Sequence, residues 1–310
     1  MKRLLLVGAV TAVILAAVLS GCSGENREAT KIRVGILPIE DSLPLVVARD
    51  EGIFEKYGLN VEIISFNSAL ERDAALMAGE VDAVVTDPLA VILLNDRGYD
   101  VRIVTICLGE KPDEGVFAVL AAPNSKINSV DDLEGKKVAI SSNTIIEYVT
   151  DIMLSGINYT KVEIKQIPVR MRTLLDGKVD AATLPEPLAS YAVSQGAKLV
   201  IADSMMNESV TQTVIAFRGD FIDKNKDEVK KFLDAYAEAV KTINGNKDRY
   251  RDKFIQIARV PKEISENYPM PDYPMPGKFP KSFYERYLVW ALKKGLIRKE
   301  VPYDKAVEQI

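Results

Sequence analysis

The feature that most constrains this 310-residue chain is a repeat. Gly79-Glu80-Val81-Asp82-Ala83 returns 98 positions later as Gly177-Lys178-Val179-Asp180-Ala181. Asp87-Pro88-Leu89-Ala90 returns 99 positions later as Glu186-Pro187-Leu188-Ala189. Each copy reads as a helix, a Gly turn, a Val-Asp-Ala strand, and an acidic residue with Pro opening the next helix, where the missing proline N–H costs nothing. Two matches in register predict a duplicated architecture.

The flanking pattern says what is duplicated. Strands are expected at 31–37, 61–66, 81–86 and 101–108, separated by helices at 43–57 (ended by Gly58), 69–78 and 89–97. The pattern restarts with strands at 115–121, 162–167, 179–183 and 198–201, and helices at 145–154, 170–175 and 188–195. Alternation of this kind predicts an α/β fold on parallel sheets. Past residue 211 the character changes: a short strand at 213–217, a long amphipathic helix at 221–243, an irregular loop with Tyr-Pro-Met-Pro twice, and a last helix at 283–294. Phe283, Tyr287 and Trp290 share one face of that helix and read as core packing rather than a binding platform.

Composition removes whole classes of function. The chain has no histidine, so histidine triads, histidine bases and imidazole metal ligands are excluded. Two cysteines, Cys22 and Cys107, cannot build a thiolate zinc site or an iron–sulfur cluster. No metal, no cofactor and no disulfide is expected; Cys107 sits in an apolar run and reads as a buried thiol. Forty basic and 44 acidic residues are interspersed without a basic tract, which argues against nucleic acid.

The N-terminus carries an address. Lys2-Arg3, an apolar run from Leu4 to Leu19 and a small-residue stop describe a secretory leader. Leu19-Ser20-Gly21-Cys22 resembles the bacterial lipobox, which implies cleavage after residue 21, lipidation of Cys22 and a tether over 22–30. The expected location is extracytoplasmic, held to a membrane by lipid; a transmembrane anchor is the competing reading.

These phrases together resemble one family. Gly35-Ile36-Leu37-Pro38, the segment from Ala48 to Leu59, the two Val-Asp-Ala copies, Asp132-Leu133-Glu134-Gly135-Lys136-Lys137-Val138-Ala139 and Leu184-Pro185-Glu186-Pro187 look like the nitrate/sulfonate/taurine and thiamine-precursor group of ABC-transporter solute-binding proteins. The resemblance implies a type II periplasmic-binding-protein fold, with two α/β lobes, a central ligand cleft and two crossover hinges. Lobe one would comprise 31–110 plus 215–310 and lobe two 115–205, with hinges near 108–117 and 205–217. It also implies a monomeric receptor without catalytic residues. Lobe closure would capture a small polar molecule for a permease and, through it, an ATPase. A cofactor-free enzyme of menaquinone-pathway type on the same fold, or a sensor for a membrane signalling protein, are the alternatives.

In open α/β sheets, ligands bind beyond the carboxyl ends of strands, near free helix N-termini. Five loops qualify: Glu40, Asp41, Ser42 and Leu43; Phe66, Asn67 and Ser68; Thr86 and Asp87; Ser141, Ser142, Asn143 and Thr144; Pro185 and Glu186. Ser42, Ser68 and Thr144 serve equally well as N-caps. Asp87 and Glu186 can equally complement helix dipoles. Asp82 and Asp180 read as turn caps within each half. These loops hold four acids and no Arg or Lys, which favours a cationic or aminopyrimidine-like ligand, such as a thiamine precursor, over an anion.

Overall fold

A computed structural model describes residues 30–310; the expected leader, Cys22 and the tether as far as residue 29 lie outside the described residues. Lys31–Ile310 forms one compact unit. Among the described residues, no helix is long and apolar enough to cross a membrane.

Two five-stranded sheets carry the unit. The first contains β1 (Lys31–Ile36), β2 (Asn60–Ser65), β3 (Ala83–Thr86), β4 (Val101–Leu108) and, from far down the chain, β10 (Thr213–Arg218), in the order β2-β1-β3-β10-β4. The second contains β5 (Phe117–Ala121), β6 (Lys137–Ile140), β7 (Thr160–Glu163), β8 (Ala181–Pro185) and β9 (Lys198–Ala202), in the order β7-β6-β8-β5-β9. The repeat is therefore one of topology: β1 and β6 are the second strands, and β3 and β8 the central ones.

The sheets are mixed rather than wholly parallel. β10 runs antiparallel to β3 and β4, and β5 antiparallel to β8 and β9. The cause is where the chain crosses. β4 leaves the first sheet at the carboxyl edge, where Leu108 pairs with Thr213, and β10 returns at that same edge. A strand that re-enters at the edge its partner left must run antiparallel to it, however long the excursion between them. Both crossings thus join the carboxyl edges of the two sheets.

The crossings, 109–116 and 203–212, are laced together by buried polar groups. The Glu114 carboxylate accepts from the backbone N–H groups of Gly109 (3.0 Å) and Glu110 (2.8 Å). Asp203 accepts from Val116 N (3.2 Å), Phe117 N (3.0 Å) and Thr211 Oγ1 (2.5 Å). Ser209 Oγ and Gln212 Nε2 both donate to the Gly109 carbonyl. Gly109 has φ +87°, and a Cβ there would stand 2.0 Å from the Thr211 carbonyl oxygen. Gly109→Ala should destabilise the fold by about 2–4 kcal/mol, through strain and backbone collision together. A thermal melt of that variant beside wild type checks this; an unchanged midpoint contradicts it.

Asp82 and Asp180 do not cap turns. Asp82 Oδ2 accepts from Arg33 N (2.9 Å) and Asp180 Oδ2 from Lys137 N (2.8 Å). Each carboxylate clips the start of the adjacent parallel strand, β1 or β6. Other differences are local. The helix expected over 43–57 is two, Leu43–Asp50 and Ile53–Lys56, because Gly52 between them takes φ +69°. The long helix is divided at Asn225 into Gly219–Lys224 and Lys226–Gly245. A further helix, Lys247–Ile257, follows; its Tyr250 and Phe254 complete the core against the helix Leu43–Asp50. Tyr287 and Trp290 of the last long helix, Lys281–Lys293, are buried in the core, as their spacing suggested, and Phe283 is half-buried.

Candidate functional site

The carboxyl edges of the two sheets hold all five candidate loops. After β1 the chain makes a 3-10 turn, Glu40–Ser42, whose three side chains are buried. Ser42 does not cap the next helix; its hydroxyl donates to the Leu37 carbonyl at 2.8 Å. Leu43 is wholly buried in the core and offers the edge no side chain. After β2, Phe66 lies half-buried against Gly35, Asn67 is exposed, and Ser68 caps the helix Ala69–Met77 by accepting from Glu71 N at 3.2 Å. After β3, Thr86 is buried, and Asp87 caps the helix Pro88–Asp96 by accepting from Ala90 N at 2.9 Å.

The second sheet mirrors this. Thr144 caps the helix Ile145–Met153 through Ile146 N at 3.2 Å and donates to the Ser141 carbonyl. The Ser142 hydroxyl donates to Glu163 (2.6 Å), and Asn143, exposed at φ +62°, donates its N–H to Glu147 (2.7 Å). Pro185 ends β8, and the half-buried Glu186 accepts from both the N–H (3.0 Å) and the hydroxyl (2.9 Å) of Ser190. Four of these side chains are therefore busy with their own helices: Ser68, Asp87, Thr144 and Glu186.

Glu40 is met by two phenols from far down the chain. Tyr268, from the loop after the short helix Lys262–Ser265, donates to Glu40 Oε1. Tyr273 donates to the Glu40 carbonyl at 2.9 Å. Burial is the chief influence on the acids here. It pushes Glu40 up to about 8 against the pull of the Tyr268 hydrogen bond, and Asp41 up to about 6. Asp87 and Glu186 are raised for the same reason. These carboxyls hold their protons more firmly than solvated ones because burial penalises their charge.

A contact joins the two sheets' helices. Trp290 Nε1 donates to Asp151 Oδ2 at 3.2 Å, and Lys294 Nζ pairs with Glu147 (2.8 Å) and Asp151 (3.1 Å) on the helix Ile145–Met153. Tyr148 of that helix stacks on Tyr287, with ring centroids 4.4 Å apart. Its hydroxyl is buried without a hydrogen-bond partner.

Comparison with known proteins fits this architecture. The model of the NlpA lipoprotein family matches residues 32–258. The chain belongs to the NlpA lipoprotein family. Among curated relatives, it is 25% identical to a putative aliphatic sulfonates-binding protein of Bacillus subtilis (strain 168), over 86% of this chain and 81% of the relative. It is 27% identical to the D-methionine-binding lipoprotein MetQ of Escherichia coli (strain K12), over 74% of this chain and 89% of the relative. Among solved structures, the periplasmic aliphatic sulphonate binding protein SsuA from Escherichia coli superposes with a TM-score of 0.74 at 19% identity, covering 90% of this chain and 92% of that one. The desulfurization enzyme DSZB superposes at 0.71 and 14% identity, covering 90% and 96%, a likeness of fold alone.

Within this NlpA-family chain, the sequence reading passed over two arginines. Arg72, from the helix capped by Ser68, is buried and donates to the Val85 carbonyl (2.8 Å) and Thr86 Oγ1 (2.8 Å), while pairing with Asp73 at 2.7 Å. Arg170, from the helix Ile167–Leu175, donates to the carbonyls of Ile164 (2.9 Å), Thr183 (2.9 Å) and Lys165 (3.5 Å). The five loops contain no Arg or Lys, yet the Arg72 guanidinium stands behind them and acts on both Asp41 and Asp87. The signal was present: Arg170 follows Arg72 by the same 98 positions as the glycines. Tyr268 and Tyr273 had no such signal, because they belong to the unrepeated third of the chain.

Proposed function

We propose that this chain is the extracytoplasmic solute-binding component of an ABC importer and not an enzyme. Its two sheets, with their associated helices, act as lobes, 31–110 with 215–310 and 115–205, and the paired crossings act as the hinge. The observation that carries this reading is the placement of carboxyl edges. Both crossings join those edges, so the loops that bind ligands in α/β folds come from both sheets to one cleft. A molecule touching Glu40 and Asp87 on one side and Thr144 and Glu186 on the other favours the closed state. The closed state then presents a surface that a permease, coupled to an ATPase, reads. Lipid on Cys22 tethers the monomer at the membrane.

The ligand is small and rich in N–H donors or positively charged. Glu40, Asp41, Asp87 and Glu186 offer acceptor oxygens to such groups, while Arg72, whose guanidinium acts on Asp41 and Asp87, is already paired with Asp73. Native mass spectrometry of the body after Cys22, purified gently and then denatured, tests this directly. A stoichiometric released amine or aminopyrimidine is expected. A released sulfonate removes the charge argument but keeps the receptor. An empty chain that also shows no thermal shift with amines, pyrimidines, flavins or sulfonates overturns the receptor reading.

A further inference from the structure

We infer that the two lobes turn about one flank of the cleft, where the helix Lys281–Lys293 meets the helix Ile145–Met153, and that ligand enters on the opposite flank, where Lys262–Ser265 meets Leu188–Ser194. The inference rests on the two-lobed receptor reading, and an asymmetry of contacts carries it. Among the described residues, every hydrogen bond and ion pair between 117–202 and the first lobe, 31–108 with 213–310, is made by Trp290 or Lys294. Packing is equally one-sided. Strand residues alternate between faces, so each sheet carries two cores. On one face the cores are continuous across the cleft. Val84 and Ala216 of the first sheet share an apolar cluster with Val138 and Ile140 of the second, and Tyr148 and Tyr287 stack between them. On the other face the cores are separate, Val85 and Tyr268 in one, Ala139 and Ala192 in another.

The two flanks differ in what parting them would expose. On the first, Tyr148 stacks on Tyr287 and meets Trp290 edge-on, with ring centroids 4.4 and 5.5 Å apart, and separation would hand three large rings to water. The ion pairs of Lys294 are partly exposed and contribute little alone, so the rings carry the seal. The same helix is fixed to a crossing. Arg286 Nη2 donates to the Ser209 carbonyl at 2.6 Å, and the Gln212 N–H donates to the Tyr287 hydroxyl at 2.9 Å. Flank and crossing therefore move as one body. Across the other flank, two short helices meet without a hydrogen bond or ion pair between them. Each borders a candidate acid. Glu186 precedes Leu188–Ser194 and accepts from its Ser190, while Tyr268, which donates to Glu40, follows Lys262–Ser265. A cleft that parts here admits a molecule to Glu40 and Glu186 while the Trp290 side stays shut.

Paired spin labels test this in the full chain, ligand removed, on a Cys22→Ser background in which the buried Cys107 stays unlabelled. Ser194→Cys with Glu263→Cys places labels on exposed positions across the flank that parts. Ser155→Cys with Val289→Cys does the same across the flank that is sealed. The expected distance distribution is wider by roughly twofold or more for the first pair, or split in two. A ratio of widths near or below one overturns the inference. The unmodified chain supplies a second reading, because Trp290 is its single tryptophan and is 8% exposed. Acrylamide should quench it at least roughly fivefold less in the ligand-free native chain than in the urea-unfolded one, and a smaller difference overturns the seal. Either failure can occur while a ligand is still released in the mass-spectrometric experiment, so loss of this axis and loss of the receptor reading are told apart.

Discussion

Arg170→Met should lower the thermal midpoint by roughly 6–12 °C, one of the two largest effects expected in this chain. The side chain is wholly buried, and its guanidinium satisfies the carbonyls of Ile164 and Thr183, with Lys165 at longer range. Methionine fills much of the volume but strands those acceptors, at about 1–3 kcal/mol each. One effect opposes this. Burial lowers Arg170 to about 10, and among the described residues no carboxylate pairs with it, so removing the charge relieves some desolvation. The stranded carbonyls win because they tie the middle of β8, the central strand of the second sheet, to the loop after β7. Arg170→Lys should recover little, since one ammonium cannot reach three separated acceptors. A midpoint within 2 °C of wild type for Arg170→Met contradicts this account.

Loss of stability on raising the pH from 5 to 8 is the second large effect, and Glu40→Gln should remove most of it. Glu40 is pushed up to about 8 from 4.5, and Asp41 to about 6 from 3.8, both by burial. Between the unfolded and folded values the native chain keeps protons that the unfolded chain releases, so stability falls as pH rises. Each group contributes at most about 1.4 kcal/mol per pH unit across its window, which puts the Glu40 contribution near 3–4 kcal/mol. Opening of the lobes caps it by letting water reach the carboxylate. Burial raises Glu147 and Asp151, but the Asn143 N–H and two lysines on Glu147, and the lysines and Tyr159 on Asp151, outweigh it. Both lose their contribution only as pH falls below the ordinary carboxylate range, so they do not cancel the effect. Chemical denaturation at the two pH values, for wild type and Glu40→Gln, measures the difference. Parallel losses in the two proteins refute the assignment to Glu40.

What the sequence revealed was what its repeat encoded. The matched glycines, Val-Asp-Ala strands and acid-Pro turns marked the succession of strands and helices twice over, and the position of each candidate loop followed from where its strand ended. The antiparallel strands escaped notice because direction leaves no mark on hydrophobic alternation; β10 reads as a strand whichever way it runs. Asp82 and Asp180 were legible as a pair but not as strand clips, since the partner N–H groups lie 49 and 43 residues away. The caps at Ser68 and Thr144 were visible as types, whereas Ser42 turned its hydroxyl back to Leu37. Nothing local in the Tyr-Pro-Met-Pro segment announced that its tyrosines would reach the turn after β1, more than 220 residues earlier in sequence.

The mixed sheets also set an order of assembly. Every strand of the second sheet lies between residues 117 and 202, so that sheet can form from a contiguous stretch of chain. The first cannot. β4 pairs only with β10 among the described strands, and β10 also fills the space beside β3, so two strand edges stay open until residue 218 is available. The half of the molecule that begins first therefore finishes last. A chain emerging from its N-terminus waits with its opening sheet incomplete while the later one folds, and a stop anywhere before Thr213 leaves the earlier half unable to close upon itself.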